Sequence, residues 1–97
     1  AARPDPRRKV LQVLTEVAQG HPDVVTTPAP LALFLGFGDS ALQFQLWAWT
    51  NRLDRFGVIK SELGVAVYSA FAEAGFSIPF PQQEIRIHPN PSAPPQS

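Results

Sequence analysis

The groups in this chain that could do chemistry are few, and their spacing limits what that chemistry could be. Cysteine is absent and histidine occurs only as His21 and His88, which excludes a disulfide scaffold, a thiolate metal site and a cysteine nucleophile together. Two histidines among scattered carboxylates make a poor metal set; His21 reads as a turn residue in His21-Pro22-Asp23, and His88 as surface at a strand end. Ser40, Asp39 and His21 supply the three group types of a nucleophilic triad. The serine, however, sits in a hairpin turn without the glycine-flanked elbow that would present it, and a turn aspartate and serine usually bond their own backbone. Gly36-Phe37-Gly38 lacks the third glycine and the following helix of a dinucleotide loop. Asn51 and Arg52 are the residue types used by small acyl-phosphate hydrolases, yet no glycine-rich loop offers the cradle of backbone N–H groups that such chemistry needs. With no convergent site, the chain reads as a non-enzyme with no catalytic residue, no cofactor and no metal.

Composition bounds the remaining functions. A chain of 97 residues, 44% of them apolar, can form one small core. Eight basic and eight acidic residues cancel, which points away from nucleic acid and from anionic membrane surfaces; Arg7-Arg8-Lys9 has no interleaved aromatics and reads as solvated. No apolar run approaches the ~20 residues of a membrane span. Ala1 to Pro6 has no hydrophobic region of the signal-peptide kind, and the absence of an initiating methionine suggests a piece of something longer. Residues 1–5 and the proline-rich 89–97 are expected to be disordered, leaving 6–88 as the folded domain.

The elements follow from periodicity. A first helix is predicted from Pro6, with Asp5 as N-cap, Val10, Leu14, Val17 and Ala18 as its buried face, and Gly20 as its stop. Leu31 to Phe37 is almost wholly apolar, which predicts a strand covered on both sides. After Gly38-Asp39-Ser40, apolar Leu42, Phe44, Leu46 and Ala48 alternate with Gln43, Gln45, Trp47 and Trp49, completing a β-hairpin with one apolar and one mixed face. A second helix is expected from Leu53 to Ala74, capped by Asn51 or Asp54 and stopped by Gly75, with Gly57 and Gly64 as points of close approach. Phe76-Ser77-Ile78-Pro79-Phe80-Pro81-Gln82 forms a stiff, extended connector, because each proline fixes its own φ and extends its predecessor. Glu84-Ile85-Arg86-Ile87 then alternates as a half-buried strand, with too little chain after it to supply a partner. The order α-β-β-α-β is an α+β, ferredoxin-like split βαβ domain lacking its first strand.

In order and spacing these segments resemble the C-terminal cytoplasmic domain of MscS-type mechanosensitive channels. The resemblance rests on Asp5-Pro6, His21-Pro22-Asp23-Val24-Val25, Pro28-Ala29-Pro30, Leu33 to Leu42 with its Gly36-Phe37-Gly38-Asp39-Ser40 core, and Ala74-Gly75-Phe76-Ser77-Ile78-Pro79-Phe80-Pro81-Gln82. It implies a cytoplasmic cage beneath a channel of the inner membrane, usually heptameric, with portals that pass solutes during osmotic downshock. It also implies that Glu84, Ile85, Arg86 and Ile87, within a barrel segment 83–88, pair with copies of themselves. The membrane would be reached only through upstream segments that this chain lacks. The missing first strand would leave a sheet edge open to dimerisation or strand exchange. The competing reading is a stand-alone ligand-binding or regulatory module in which Trp47 and Trp49 line a pocket.

Overall fold

The computed structural model describes residues 6–37, 42–76 and 81–91. The expected N-cap Asp5, the turn residues Gly38, Asp39 and Ser40, and Ile78, Pro79 and Phe80 of the connector lie outside them. The elements run α1 (Pro6–Gln19), β1 (Leu31–Phe37), β2 (Leu42–Thr50), a 3-10 turn (Leu53–Arg55), α2 (Phe56–Glu73) and β3 (Gln82–Pro89).

Helix α1 is amphipathic, and its helical spacing buries Val10, Val13, Leu14 and Ala18. Ile59, Leu63, Val67 and Phe71 recur every four residues along α2, all of them buried. The two helices pack on each other and on one face of a three-stranded sheet, α1 over β1 and β2, α2 over β3. Phe44, Leu46 and Ala48 of β2 and Ile85 of β3 complete the core from the sheet side. The alternation expected of β2 is therefore observed.

Helix α2 ends in a Schellman motif. Gly75 takes φ +86°, its N–H donates to the Ala72 carbonyl, and the Phe76 N–H donates to the Phe71 carbonyl. The Phe76 ring then meets Phe71 edge-on at 5.1 Å between centroids, closing the hydrophobic contact that accompanies this cap. At its other end neither Asn51 nor Asp54 caps α2. The 3-10 turn takes their place, Asp54 pairs with Arg52, and the Asn51 Oδ1 accepts from the Asn90 Nδ2.

Three expectations are corrected by the sheet. β1 is not covered on both sides, because both helices lie on the same face; Leu31 and Leu35 are 44% and 56% exposed. Its apolar alternation is also broken. Phe34 pairs with Phe44 and Gly36 with Gln43, so Leu35 is the extra residue of a β-bulge, beside a glycine at φ +133°. The last strand, finally, has a partner within its own chain: β3 runs parallel to β2 from Gln43↔Gln82 to Thr50↔Pro89. In a complete split βαβ sheet the first strand separates these two strands. Among the described residues no such strand lies between them: β2-α2-β3 closes as a simple parallel crossover, and the order is β1-β2-β3.

The interior glycines of α2 are not points of close approach. A methyl group at Gly57 would meet nothing within 4 Å, and one at Gly64 would only touch Ile85 Cδ1 at 4.0 Å.

Candidate functional site

Two places bring together groups that could act. The first joins the turn after α1 to the start of α2. The His21 Nδ1 accepts from the Asp23 backbone N–H at 3.0 Å, which leaves its Nε2 to meet Glu62 at 2.9 Å. The Arg55 Nε donates to Asp23 at 2.9 Å, and its Nη2 reaches Glu62 at 3.5 Å. One donor atom from each of His21, Asp23 and Glu62 lies within 4.8 Å of the others, a spacing suited to a cation. The Arg55 guanidinium already bridges both carboxylates, and both ring nitrogens of His21 are engaged. The cluster is an ion-pair network that ties two segments together, and it engages His21 with Asp23 and Glu62; Asp39 and Ser40, offered with it as a triad, lie outside the described residues.

Asn51 and Arg52 do not converge on a common point. The Arg52 guanidinium donates to both carboxylate oxygens of Asp54, at 3.3 and 3.2 Å, and holds that carboxyl below its ordinary range. Its own N–H is accepted by the Thr50 hydroxyl.

The second place is the outer side of β3. Among the described residues only β2 pairs with this strand, and its other edge has no strand partner there. Between that edge and α2 lies a groove of about 440 Å³, bordered by Phe56, Gly57 and Lys60 from the helix and Ile85, Ile87 and His88 from the strand. On the sheet face away from the helices, side chains from β2 and β3 interlock. Gln43 donates to Gln82 at 3.1 Å, Gln45 donates to Glu84 at 3.2 Å, and Arg86 donates to Glu84. Arg86 beside it holds the Glu84 carboxyl below the usual carboxylate range; Gln45 and the more distant Lys60 act in the same direction. Beyond them the His88 ring stacks at 4.8 Å from Trp47 and 5.7 Å from Trp49. Its Nε2 is buried without a hydrogen-bond partner among the described residues. The tryptophans thus form a half-buried patch on an open sheet face.

Of the family-motif residues, Gly36 supports the bulge and Gly75 the helix stop. Phe37 pairs with Leu42, and Gln82 opens β3 just after Pro81. Glu84, Ile85, Arg86 and Ile87 lie together at the centre of β3. The His21–Asp23–Arg55–Glu62 network was missed at the sequence level, because its members stand up to 41 residues apart with no local pattern joining them.

This two-layer domain matches the family model described as "Mechanosensitive ion channel MscS, C-terminal" over residues 1–78. The chain belongs to that family. It is 32% identical over 71 residues to an MscS family protein of Synechocystis sp., which covers 73% of this chain and 24% of that protein. It is 25% identical over 81 residues to an MscS family protein of Archaeoglobus fulgidus, covering 84% of this chain and 28% of that one. The chain thus spans about a quarter of the length of these curated relatives. No solved structure matches it. The family match ends at residue 78, so β3 lies beyond it. No helix among the described residues is long and apolar enough to cross a membrane.

Proposed function

We propose that this chain is the cytoplasmic cage domain of a mechanosensitive channel of the inner membrane. It contributes to oligomer assembly and to a solute-permeable vestibule during osmotic downshock, and is not itself the pore or a catalyst. Besides family membership, one observation supports this reading: among the described residues, apolar surface stays exposed where a neighbouring subunit would sit. Leu31 and Leu35 are exposed on the sheet and Val58 and Val65 on the outer side of α2, and β3 has a strand partner on one edge only among the described residues. The segment from Gly75 through Ile78, Pro79, Phe80 and Pro81 to Gln82 serves in this reading as the stiff link that sets the direction of β3. A heptameric barrel of β3 strands needs two free edges on every strand, so it requires β3 to exchange β2 for its neighbours.

The test is the complete reading frame that contains this chain, expressed in cells without tension-gated channels of their own. It should protect them from osmotic downshock, and deletion of residues 82–89 should reduce both that protection and the amount of assembled oligomer. A frame that opens just before Ala1, or protection indifferent to the deletion, would sink the proposal.

A further inference from the structure

Two segments carry more apolar surface than this domain covers by itself. The run Leu31 to Phe37 has the composition of a strand covered on both faces, yet the helices lie on one face only. Across the other face the register sets Leu31 beside Trp47 and Leu33 beside Gln45, with Trp49 two residues further along β2. Trp47 donates its indole N–H to Gln45 at 2.7 Å, which satisfies its polar atom and leaves the rings as apolar surface. Helix α2 carries the matching excess. Val58, Ser61, Val65, Ser69 and Ala72 follow helical spacing on the side away from the core; all are exposed and none is charged. A helix without a charged outer face is ordinarily covered on both sides.

The two faces fit each other in length, polarity and size. At 1.5 Å per residue the 18 residues of α2 run about 27 Å, and at 3.4 Å per residue the nine residues of β2 run about 30 Å. The helix stripe is built of small and β-branched side chains, low enough to receive the larger Leu31, Trp47 and Trp49 from the sheet. The faces also lie on opposite sides of the two-layer domain, so one copy cannot set both of them against a single partner.

We propose that the outer stripe of α2 in one copy packs on the open sheet face of the next, head to tail, so that each sheet gains helices on both faces. The partner is a second copy because the chain itself supplies the helix that its sheet lacks and the sheet that its helix lacks. The contact is heterologous: every copy offers a helix to one neighbour and a sheet to another, which generates a ring where the rotation closes. It leaves the edge of β3 untouched. One helix face is a small interface beside the roughly 800 Å² per partner of a standard one, so it should show between free copies only at high concentration. The proposal rests on the cage reading for the presence of further copies, and gives that reading's self-association a surface.

The experiment is sedimentation equilibrium of the 97-residue chain from micromolar to near-millimolar concentration, with tryptophan emission recorded in parallel. We expect species larger than a dimer to grow in with concentration, and the emission to shift to the blue as Trp47 and Trp49 are covered. Val65→Glu on the helix and Leu31→Glu on the sheet, at positions 66% and 44% exposed, each bury a charge in the contact and should weaken self-association about tenfold or more. Each variant keeps one intact face, so an equimolar mixture of the two should recover a 1:1 dimer and nothing larger. Far-UV circular dichroism of the dilute variants checks that they keep their fold. A wild-type monomer throughout, wild-type assembly that stops at two copies, self-association of either variant at wild-type strength, or a mixture of folded variants that stays monomeric would each overturn the proposal. A monomeric chain whose complete reading frame still protects from downshock fails this contact alone, and an assembling chain whose frame gives no protection fails the cage reading alone.

Discussion

Arg55 holds together parts of the chain that local sequence does not connect. Its guanidinium bridges Asp23, in the turn after α1, and Glu62, about two turns further along α2, while His21 closes the network on Glu62. The Asp23 side chain is only 19% exposed, so removing its partner leaves a partly desolvated charge. Arg55→Ala should therefore cost about 1–2 kcal/mol, between the cost of a hydrogen bond to a charged group and that of an exposed ion pair. Urea denaturation of Arg55→Ala, Asp23→Asn and the double variant measures the coupling. Strict additivity of the two single changes would show that the contact contributes nothing. Residue types alone offered His21 as a triad member or a metal ligand. Its actual role depends on Glu62, 41 positions away, and a fold has to be known before such a pair can be read.

Among the elements, α2 departs furthest from an ordinary surface helix. Its buried stripe of Ile59, Leu63, Val67 and Phe71 faces the core, but its outer side carries Val65 and Tyr68, 66% and 59% exposed, instead of a charged face. Gly64 sits at mid-helix with room for a methyl group and a helical φ. Gly64→Ala should raise stability by about 0.5–1 kcal/mol through helix propensity, visible as a higher urea midpoint; a loss of stability would show that Ile85 cannot accommodate even an ordinary contact. The helix ends and the alternation of β2 were legible because glycine stops and period-two burial are local signals. The two-sided cover expected of β1 was not, since an apolar run looks the same whether its second face meets a helix or awaits another subunit. The bulge at Leu35 depends on the positive φ of Gly36, and a glycine within a strand pattern hints at a bulge without locating its extra residue.

At the scale of the whole molecule, the partner of β3 was the least legible feature. An expected missing strand suggested a gap, and the chain instead closes it by pairing β3 directly with β2. This strand also carries a pH dependence of folding. Arg86, together with Gln45 and Lys60, favours the ionised form of Glu84, so its carboxyl titrates below the ordinary range. The stabilisation from this shift is fully present above the ordinary carboxylate pKa and is lost as pH falls through the lowered one. The contribution of Glu84 to folding stability should be insensitive to pH around neutrality and should fall on acidification through the carboxylate range. Urea denaturation across that range checks it, with Glu84→Gln expected to show a smaller acid response. An equal response in both proteins would place the titrating group elsewhere.

The parallel pairing of β2 with β3 has a further consequence, in terms of competition. Gln43 and Gln82 are partners across 39 residues, joined by the α2 crossover, whereas β1 and β2 are joined by a short hairpin. Loop closure makes the distant pairing the more expensive to form, and among the described residues β3 pairs along one edge only, with Ile85 and Ile87 as its contribution to the core. Subglobal opening selects such an element ahead of the central strand. The crossover therefore works as a tether that keeps β3 near β2 at an effective concentration of order millimolar. Subunits crowded beneath a membrane would present rival strands at comparable local concentration, and the choice between β2 and a neighbour then becomes a matter of how many copies are held together.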